Sequence, residues 1–157
     1  MSPHAGMTYA GFWRRFVAHL IDKMLVGIVA LIFMILFFVT IGISAFSSRD
    51  FDPTDVNSLL ALLGACLMII PLLIIGDWLY YASMESKKGA TVGKMALGIK
   101  VTDMQGNPVS FGRATGRYFG KILSGLTLCI GFIIAGFTQQ KQALHDILAK
   151  TLVINKY

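Results

Sequence analysis

The chain alternates long apolar runs with short polar segments, and three of these runs have the length of a membrane span. The first covers residues 16–46 and contains no charge from 24 to 46. The second covers residues 56–84, with Asp77 inside it, and the third covers residues 112–138. About 20 apolar residues in an α-helix cross a bilayer. The pattern predicts an all-α membrane protein with three transmembrane helices.

The third run allows two arrangements. A straight helix from Phe111 to Thr138 would be about 42 Å long and would cross the membrane, which leaves residues 139–157 outside. A break around residues 124–127 would instead give a re-entrant hairpin with the tail inside. We favour the crossing, although the basic residues of the tail favour the inside, namely Lys141, Lys150 and Lys156.

The segment between the second and third runs has β-strand character. Residues 97–102 (LGIKVT) form a strand pattern, residues 103–108 (DMQGNP) have turn chemistry, and residues 109–111 could return as a second strand. This predicts a short cytoplasmic β-hairpin. Residues 151–155 (TLVIN) could join the same sheet, but only if the tail is inside.

Composition supports a single membrane domain. Hydrophobic residues make up 55% of the chain and charged residues 14%, whereas soluble domains average about 25% charged. The net charge of +6 comes from basic residues that flank the apolar runs, so it indicates a lipid bilayer as partner and no nucleic acid. Cys66 and Cys129 lie within apolar runs, so we expect no disulfide framework and no metal site.

Charge also predicts the orientation. Arg14 and Arg15 precede the first run, residues 47–57 are acidic overall, and residues 85–121 are strongly basic. Since basic loops stay in the cytoplasm, we expect a multi-pass protein of the cell (inner) membrane with a cytoplasmic N-terminus.

Arg15, His19 and Asp22 share one face of the first helix, because Arg15 and Asp22 differ by about 20° around its axis. A carboxylate at this depth needs a partner or water. One interpretation is a structural ion pair between Arg15 and Asp22. The other is a proton or cation site in which His19 and Asp22 titrate.

Asp77 lies eight residues before Glu85 on the returning helix, at a depth similar to that of Asp22. Two close carboxylates raise each other's pKa or share a cation, as a carrier of protons or monovalent cations requires. The alternatives are a structural pair held by Lys23 and Arg15, or an Asp77 that only reaches the interface.

Three further patterns carry chemistry. Arg113, Arg117 and Lys121 form a basic stripe beside a stripe of small residues that suits helix packing. The partners of the basic stripe are lipid headgroups, or Asp22, Asp77 or Asp146 within the bundle, or else an anionic ligand. Residues 89–94 (GATVGK) lack the spacing of a phosphate-binding loop. The pair His145–Asp146 lacks the further ligands of a metal site. We therefore expect no enzyme and no cofactor.

Three short motifs in order resemble the RDD family of small membrane proteins. The opening motif is Arg15, Ala18 and Asp22, within GFWRRFVAHLID. The middle motif contains Tyr81, Glu85, residues 89–91, Gly93–Lys94 and residues 98–101, and the last contains residues 144–146, Ala149 and Thr151. The resemblance covers residues 9–155. It implies a multi-pass bacterial membrane protein, transport such as the sodium–proton exchange of some members, and Asp146 as the second aspartate of the family's name.

These patterns support two functional hypotheses. The first is cation or proton transport through a buried Arg/Asp network, by a homo-oligomer because three spans are few for a transporter. The alternative is a non-transporting membrane scaffold or assembly factor with a structural polar network. The candidate residues for either role are Arg15, His19, Asp22, Asp77, Glu85, Lys94 and Asp146.

Overall fold

The computed structural model describes residues 8–48, 51–126 and 134–156. They form helices and strands in the order α1 (Phe12–Ser47), α2 (Val56–Lys88), α3 (Val92–Ala96), β1 (Ile99–Asp103), α4 (Phe111–Leu126), a 3-10 turn (Ile134–Gly136), α5 (Leu144–Leu148) and β2 (Thr151–Asn155). The chain divides into two compact units. Unit 1 comprises the residues up to Lys23 and from Trp78 onward, and unit 2 comprises Met24–Asp77.

Unit 2 consists of the most apolar parts of α1 and α2 and the loop between them. In the described residues, these two helices are the ones long and apolar enough to cross a membrane. Their most apolar 18-residue stretches are 0% and 6% buried. A core helix of a soluble protein would bury such a stretch, so this exposure suits lipid instead. The first two predicted spans are confirmed as long apolar helices.

Unit 1 contains a two-stranded sheet in which β1 pairs antiparallel with β2. Val101 lies opposite Val153 at the centre of the register. The start of the chain also hydrogen-bonds to β2 without forming a strand: the Ala10 amide donates to the Val153 carbonyl at 2.9 Å. The predicted strand patterns near 97–102 and at 151–155 are therefore confirmed, and the two strands pair with each other.

The predicted hairpin with a return strand at 109–111 is wrong. The 103–108 turn forms as expected, since Asp103 accepts hydrogen bonds from the amides of Gln105 (2.9 Å) and Asn107 (2.8 Å). After it, the return is a single bridge between Thr102 and Pro108. Proline cannot donate to the ladder, and α4 begins at once with Phe111.

The third transmembrane helix over 112–138 is not confirmed. Helix α4 has 16 residues, and residues 134–136 form a 3-10 turn instead of continuing an α-helix. Residues 127–133 of the predicted span lie outside the described residues. Because β1 and β2 are hydrogen-bonded neighbours, the segments before α4 and after α5 lie on the same side of any membrane. This favours the re-entrant alternative.

Helix α4 has its polarity reversed relative to a helix of a soluble protein. Arg117 and Ser124 are buried, whereas Phe119, Ile122 and Leu123 are each about half exposed. A surface helix in water buries its apolar side. The exposed apolar side of α4 therefore suits a lipid environment, and Arg117 faces the interior of unit 1.

Candidate functional site

Asp22 is fully buried in unit 1 and accepts three hydrogen bonds. Its Oδ1 accepts from the Tyr80 hydroxyl at 3.0 Å and from the Gly93 amide at 2.7 Å. Its Oδ2 accepts from the Thr91 hydroxyl at 2.5 Å. These bonds satisfy the carboxylate with neutral donors and attach α1 to the start of α3.

The segment 89–94 is shaped by this attachment and not by a phosphate. A Cβ atom placed on Gly93 would lie 2.1 Å from the backbone oxygen of Ala18, a distance that atoms cannot adopt. Ala18 is itself fully buried. Both small residues are needed for α1 and α3 to come close enough for the Asp22–Gly93 hydrogen bond.

Glu85 is a second buried carboxylate, and three cations surround it. Lys94 Nζ donates to its Oε1 at 2.5 Å, and Lys121 Nζ donates to the same oxygen at 3.3 Å. Arg117 Nε lies 3.1 Å from Oε2, an ion-pair distance, although the two atoms are not aligned as a hydrogen bond.

Asp146 is the third buried carboxylate. Arg15 Nη1 donates to its Oδ2 at 2.6 Å, and the Ala143 amide donates to the same oxygen at 3.2 Å. Arg117 Nη2 lies 2.9 Å from Oδ1. Arg117 thus contacts both Glu85 and Asp146, and its Nη1 also donates to the Thr151 hydroxyl at 2.7 Å. The result is one ion-pair network that runs from α1 through α4 to α2 and α5.

The ion-pair network and burial together determine the pKa values of Asp146 and Lys94, which lie outside the two long helices. Burial alone would raise the pKa of Asp146, but Arg117 and then His145 and Arg15 lower it to about 2. Burial lowers the pKa of Lys94 to about 8, although the Glu85 carboxylate acts in the opposite direction. Asp146 is therefore ionised at neutral pH, and Lys94 is mostly charged.

His145 is buried beside the same network. Burial lowers its pKa to about 3, against the attraction of Asp146 and together with the repulsion of Arg117, Lys121 and Lys94. The imidazole is therefore neutral at physiological pH. Its close packing is possible because α4 has glycine at 120, where a Cβ would lie 3.0 Å from the Cβ of His145.

The structure brings five of the seven sequence candidates together as ion pairs or carboxylate contacts in unit 1: Arg15, Asp22, Glu85, Lys94 and Asp146. The expected pairing of Arg15 with Asp22 is replaced, because Arg15 binds Asp146 and the three neutral donors hold Asp22. His19 lies with its ring centroid 6.2 Å from that of Tyr81. Asp77 ends unit 2 whereas Asp22 lies in unit 1, so their shared site stays a prediction.

Sequence analysis left Asp146 open as a partner of the basic stripe, and Arg117 does pair with it, but it did not identify Arg117 as the residue that joins Asp146 to Glu85. The usable signal was the stripe of small residues beside the basic stripe. Gly120 permits close contact with α5, and a cation one turn away on such a helix is carried into the interior. Thr91 and Tyr80 were missed because a hydroxyl donor to a distant carboxylate leaves no spacing pattern.

A cavity of about 400 Å³ opens among these residues in unit 1. Its lining combines apolar or small side chains with charged and polar ones: Phe12, Phe16, Tyr81, Ala135, Ala143, Val153, Arg15, His19, Asp22, Lys94, Arg117, Lys121, His145 and Asp146. Within the described part of the chain, no group of three His, Cys, Asp or Glu side chains could hold a metal ion.

The two exposed apolar helices and the buried ion-pair network define a membrane protein with a small polar unit. Comparison with known proteins then identifies its family: the RDD family profile matches residues 9–150, and the chain belongs to the RDD family. It is 36% identical over 148 residues to the uncharacterized protein YxaI of Bacillus subtilis, covering 94% of this chain and 97% of YxaI. It is 31% identical over 155 residues to the uncharacterized membrane protein YteJ of Bacillus subtilis, covering 94% of this chain and 82% of YteJ. No solved structure matches the chain.

Proposed function

We propose that the chain is a multi-pass protein of the cell membrane, with α1 and α2 as crossings and with its N-terminus and the β1–β2 sheet on the cytoplasmic side. The charge distribution supports this orientation, since the loop after α1 carries Asp52 and Asp55 whereas residues 85–121 are basic. The outward apolar side of α4 supports a segment that enters the lipid and returns.

Within this topology, the function that the geometry supports best is that of a non-enzymatic, non-transporting scaffold. The observation that carries this proposal is the saturation of the three buried carboxylates of unit 1. Asp22 has three donors, Glu85 has three cations, and Asp146 has two arginines and a backbone amide. A carrier must exchange a proton or an ion at its carboxylates, whereas Asp146, with a pKa of about 2, holds its charge throughout the physiological range.

Cation or proton transport is the second candidate, and Asp22 is the observation that favours it. Asp22 is a fully buried carboxylate whose three donors are neutral, and it lines the cavity together with His19. A buried carboxylate of this kind, beside the apolar part of α1, is a candidate for ion binding. In this case Asp22 would act with Asp77, and the transporting form would be a homo-oligomer.

Flux measurements on the full chain in liposomes distinguish the two functions. Sodium, potassium and proton fluxes are measured from pH 5.5 to 8.5 for the native protein, for Asp22→Asn, and for the exposed-loop control Asp52→Asn. The scaffold predicts no flux in any of them, with a lowered unfolding temperature for Asp22→Asn alone. Flux in the native protein that Asp22→Asn abolishes and Asp52→Asn retains would overturn the scaffold and establish the carrier.

A further inference from the structure

The cavity of unit 1 is lined by both apolar and positively charged side chains. Phe12, Phe16 and Val153 supply apolar surface, and Arg15 and Lys121 supply positive charge. Its volume of about 400 Å³ lies within the range of about 300–1,000 Å³ of small-molecule sites. Walls of this kind suit a ligand that has both an anionic group and an apolar part.

The charges around the cavity do not balance. Four cations surround it, and two of the three nearby carboxylates, Glu85 and Asp146, take part in the ion pairs with all four. The third, Asp22, is already held by neutral donors. Four positive charges therefore face three negative ones, an excess of one. The four cations are Arg15, Lys94, Arg117 and Lys121.

Further positive charge gathers at the ring of Tyr81, which also lines the cavity. Lys121 Nζ lies 4.4 Å and Lys23 Nζ lies 5.3 Å from the centre of this ring. Both ammonium groups therefore add positive charge beside the Tyr81 ring. An anion bound near this ring would be attracted by both lysines.

The cavity is accessible at the beginning of α1. Phe16 is 49% exposed, and the side chains of Arg15 and Lys121 are 13% and 14% exposed. Trp13, which packs edge-on against Phe12 with ring centroids 5.6 Å apart, is 73% exposed. Exposed tryptophan beside an apolar helix is typical of the membrane–water interface. With α1 as a crossing, as proposed above, this end of the helix and the mouth of the cavity lie at the level of the phospholipid headgroups.

We propose that this cavity binds the headgroup of an anionic phospholipid, with its phosphate near Lys121 and Arg15 and the first acyl carbons against Phe12 and Phe16. The volume fits a headgroup with the start of its chains, and the rest of the lipid stays in the bilayer. This site adds a ligand to the proposed scaffold without dissolving its network, since Glu85 keeps Lys94 and Arg117, and Asp146 keeps Arg117, when Lys121 and Arg15 also contact a phosphate.

Binding is tested by native mass spectrometry on the detergent-solubilised full chain, titrated with dioleoyl phosphatidylglycerol. The test variant is Lys121→Gln, because Glu85 keeps two other cations after this change. The matched control is Arg113→Gln, two turns earlier on α4, whose side chain is 48% exposed and outside the cavity lining. Lys121→Arg serves as a rescue that keeps the charge.

We expect saturable binding of one phosphatidylglycerol, weakened about tenfold in Lys121→Gln through loss of one charged contact. Arg113→Gln and Lys121→Arg should stay within about twofold of the native affinity. Equal binding of dioleoyl phosphatidylcholine would overturn the proposal, because the anionic charge would not matter. Equal binding of soluble glycerol 3-phosphate would overturn it in favour of a free phosphate, and equal loss in Lys121→Gln and Arg113→Gln would remove the cavity as the location.

Discussion

Gly93→Ala tests the close approach of α1 and α3. The new methyl group would lie 2.1 Å from the backbone oxygen of Ala18 and 3.0 Å from the carboxyl carbon of Asp22. Gly93 lies inside a helix, so alanine is compatible with its backbone conformation. The effect is therefore steric, and the backbone of one helix must move away from the other.

Two losses add up in this variant. Overpacking of a dense interior costs about 1–3 kcal/mol. The separation also lengthens the Gly93 amide hydrogen bond to Asp22, now 2.7 Å, and bonds to a charged group contribute about 1.5–3 kcal/mol. We expect a loss of about 3 kcal/mol, which for a chain of this size lowers the unfolding temperature by roughly 6–12 °C.

The assay is thermal unfolding in detergent, and Gly116→Ala is the matched control. Gly116 lies in α4 with no atom near its added Cβ, so alanine there should leave stability unchanged or raise it by up to about 1 kcal/mol. Ala18→Gly should not rescue Gly93→Ala, because the clash is with the backbone of residue 18. Unfolding of Gly93→Ala within about 2 °C of Gly116→Ala, or rescue by Ala18→Gly, would refute this reasoning.

Three further predictions concern charge and topology. The pKa of His145 is about 3 in the folded protein and about 6.5 in the unfolded chain, so only the unfolded chain takes up a proton between these values. The free energy of unfolding should therefore fall as the pH drops, by about 2 kcal/mol between pH 7 and 5. Thermal unfolding of His145→Gln over the same pH range should lack this part of the loss. Asp146→Asn leaves Arg117 and Arg15 short of a carboxylate and should cost about 3–5 kcal/mol in thermal unfolding, whereas an unchanged melting temperature would mean that the network is not buried. A reporter fused after Ser48 should be external and one after Gly106 cytoplasmic, and the opposite readings would reverse the orientation.

The apolar pattern of the sequence was sufficient to predict the first two helices, because a run of uncharged residues of membrane length has few other structures. The strand at 151–155 was also recognisable, and so was its place in one sheet with the strand near 97–102. Its exact partner and register were not, since strand pairing depends on contacts distant in the sequence. The return strand at 109–111 failed because Pro108 and the helix start at Phe111 compete with it. Local turn chemistry determines the 103–108 turn but not the conformation of residues 109–111.

The ion pairs were harder to predict than the charged residues that make them. Helical spacing correctly put Arg15 and Asp22 near one face of α1, yet proximity along a helix does not decide the partner. Asp146, 131 residues away along the chain, is within 2.6 Å of Arg15, because the pairing of β2 with the start of the chain brings α5 to that position. For Arg117, Asp146 was one of several partners left open and Glu85 was not considered, because helical spacing does not show which carboxylates of α2 and α5 lie nearest.

The arrangement gives the spacing of the opening motif a physical meaning. From one helix, Arg15 reaches α5, Ala18 admits the backbone of α3, and Asp22 holds the amide of Gly93. Substitution of Arg15, Ala18 or Asp22 alone should therefore break only the contact that this residue makes, unless the contacts with α3 and α5 depend on each other. Arg117 creates that dependence, because it contacts the carboxylates on α2 and α5 at once. Loss of either carboxylate leaves the same arginine with excess charge, so the contacts on opposite sides of unit 1 should be energetically coupled.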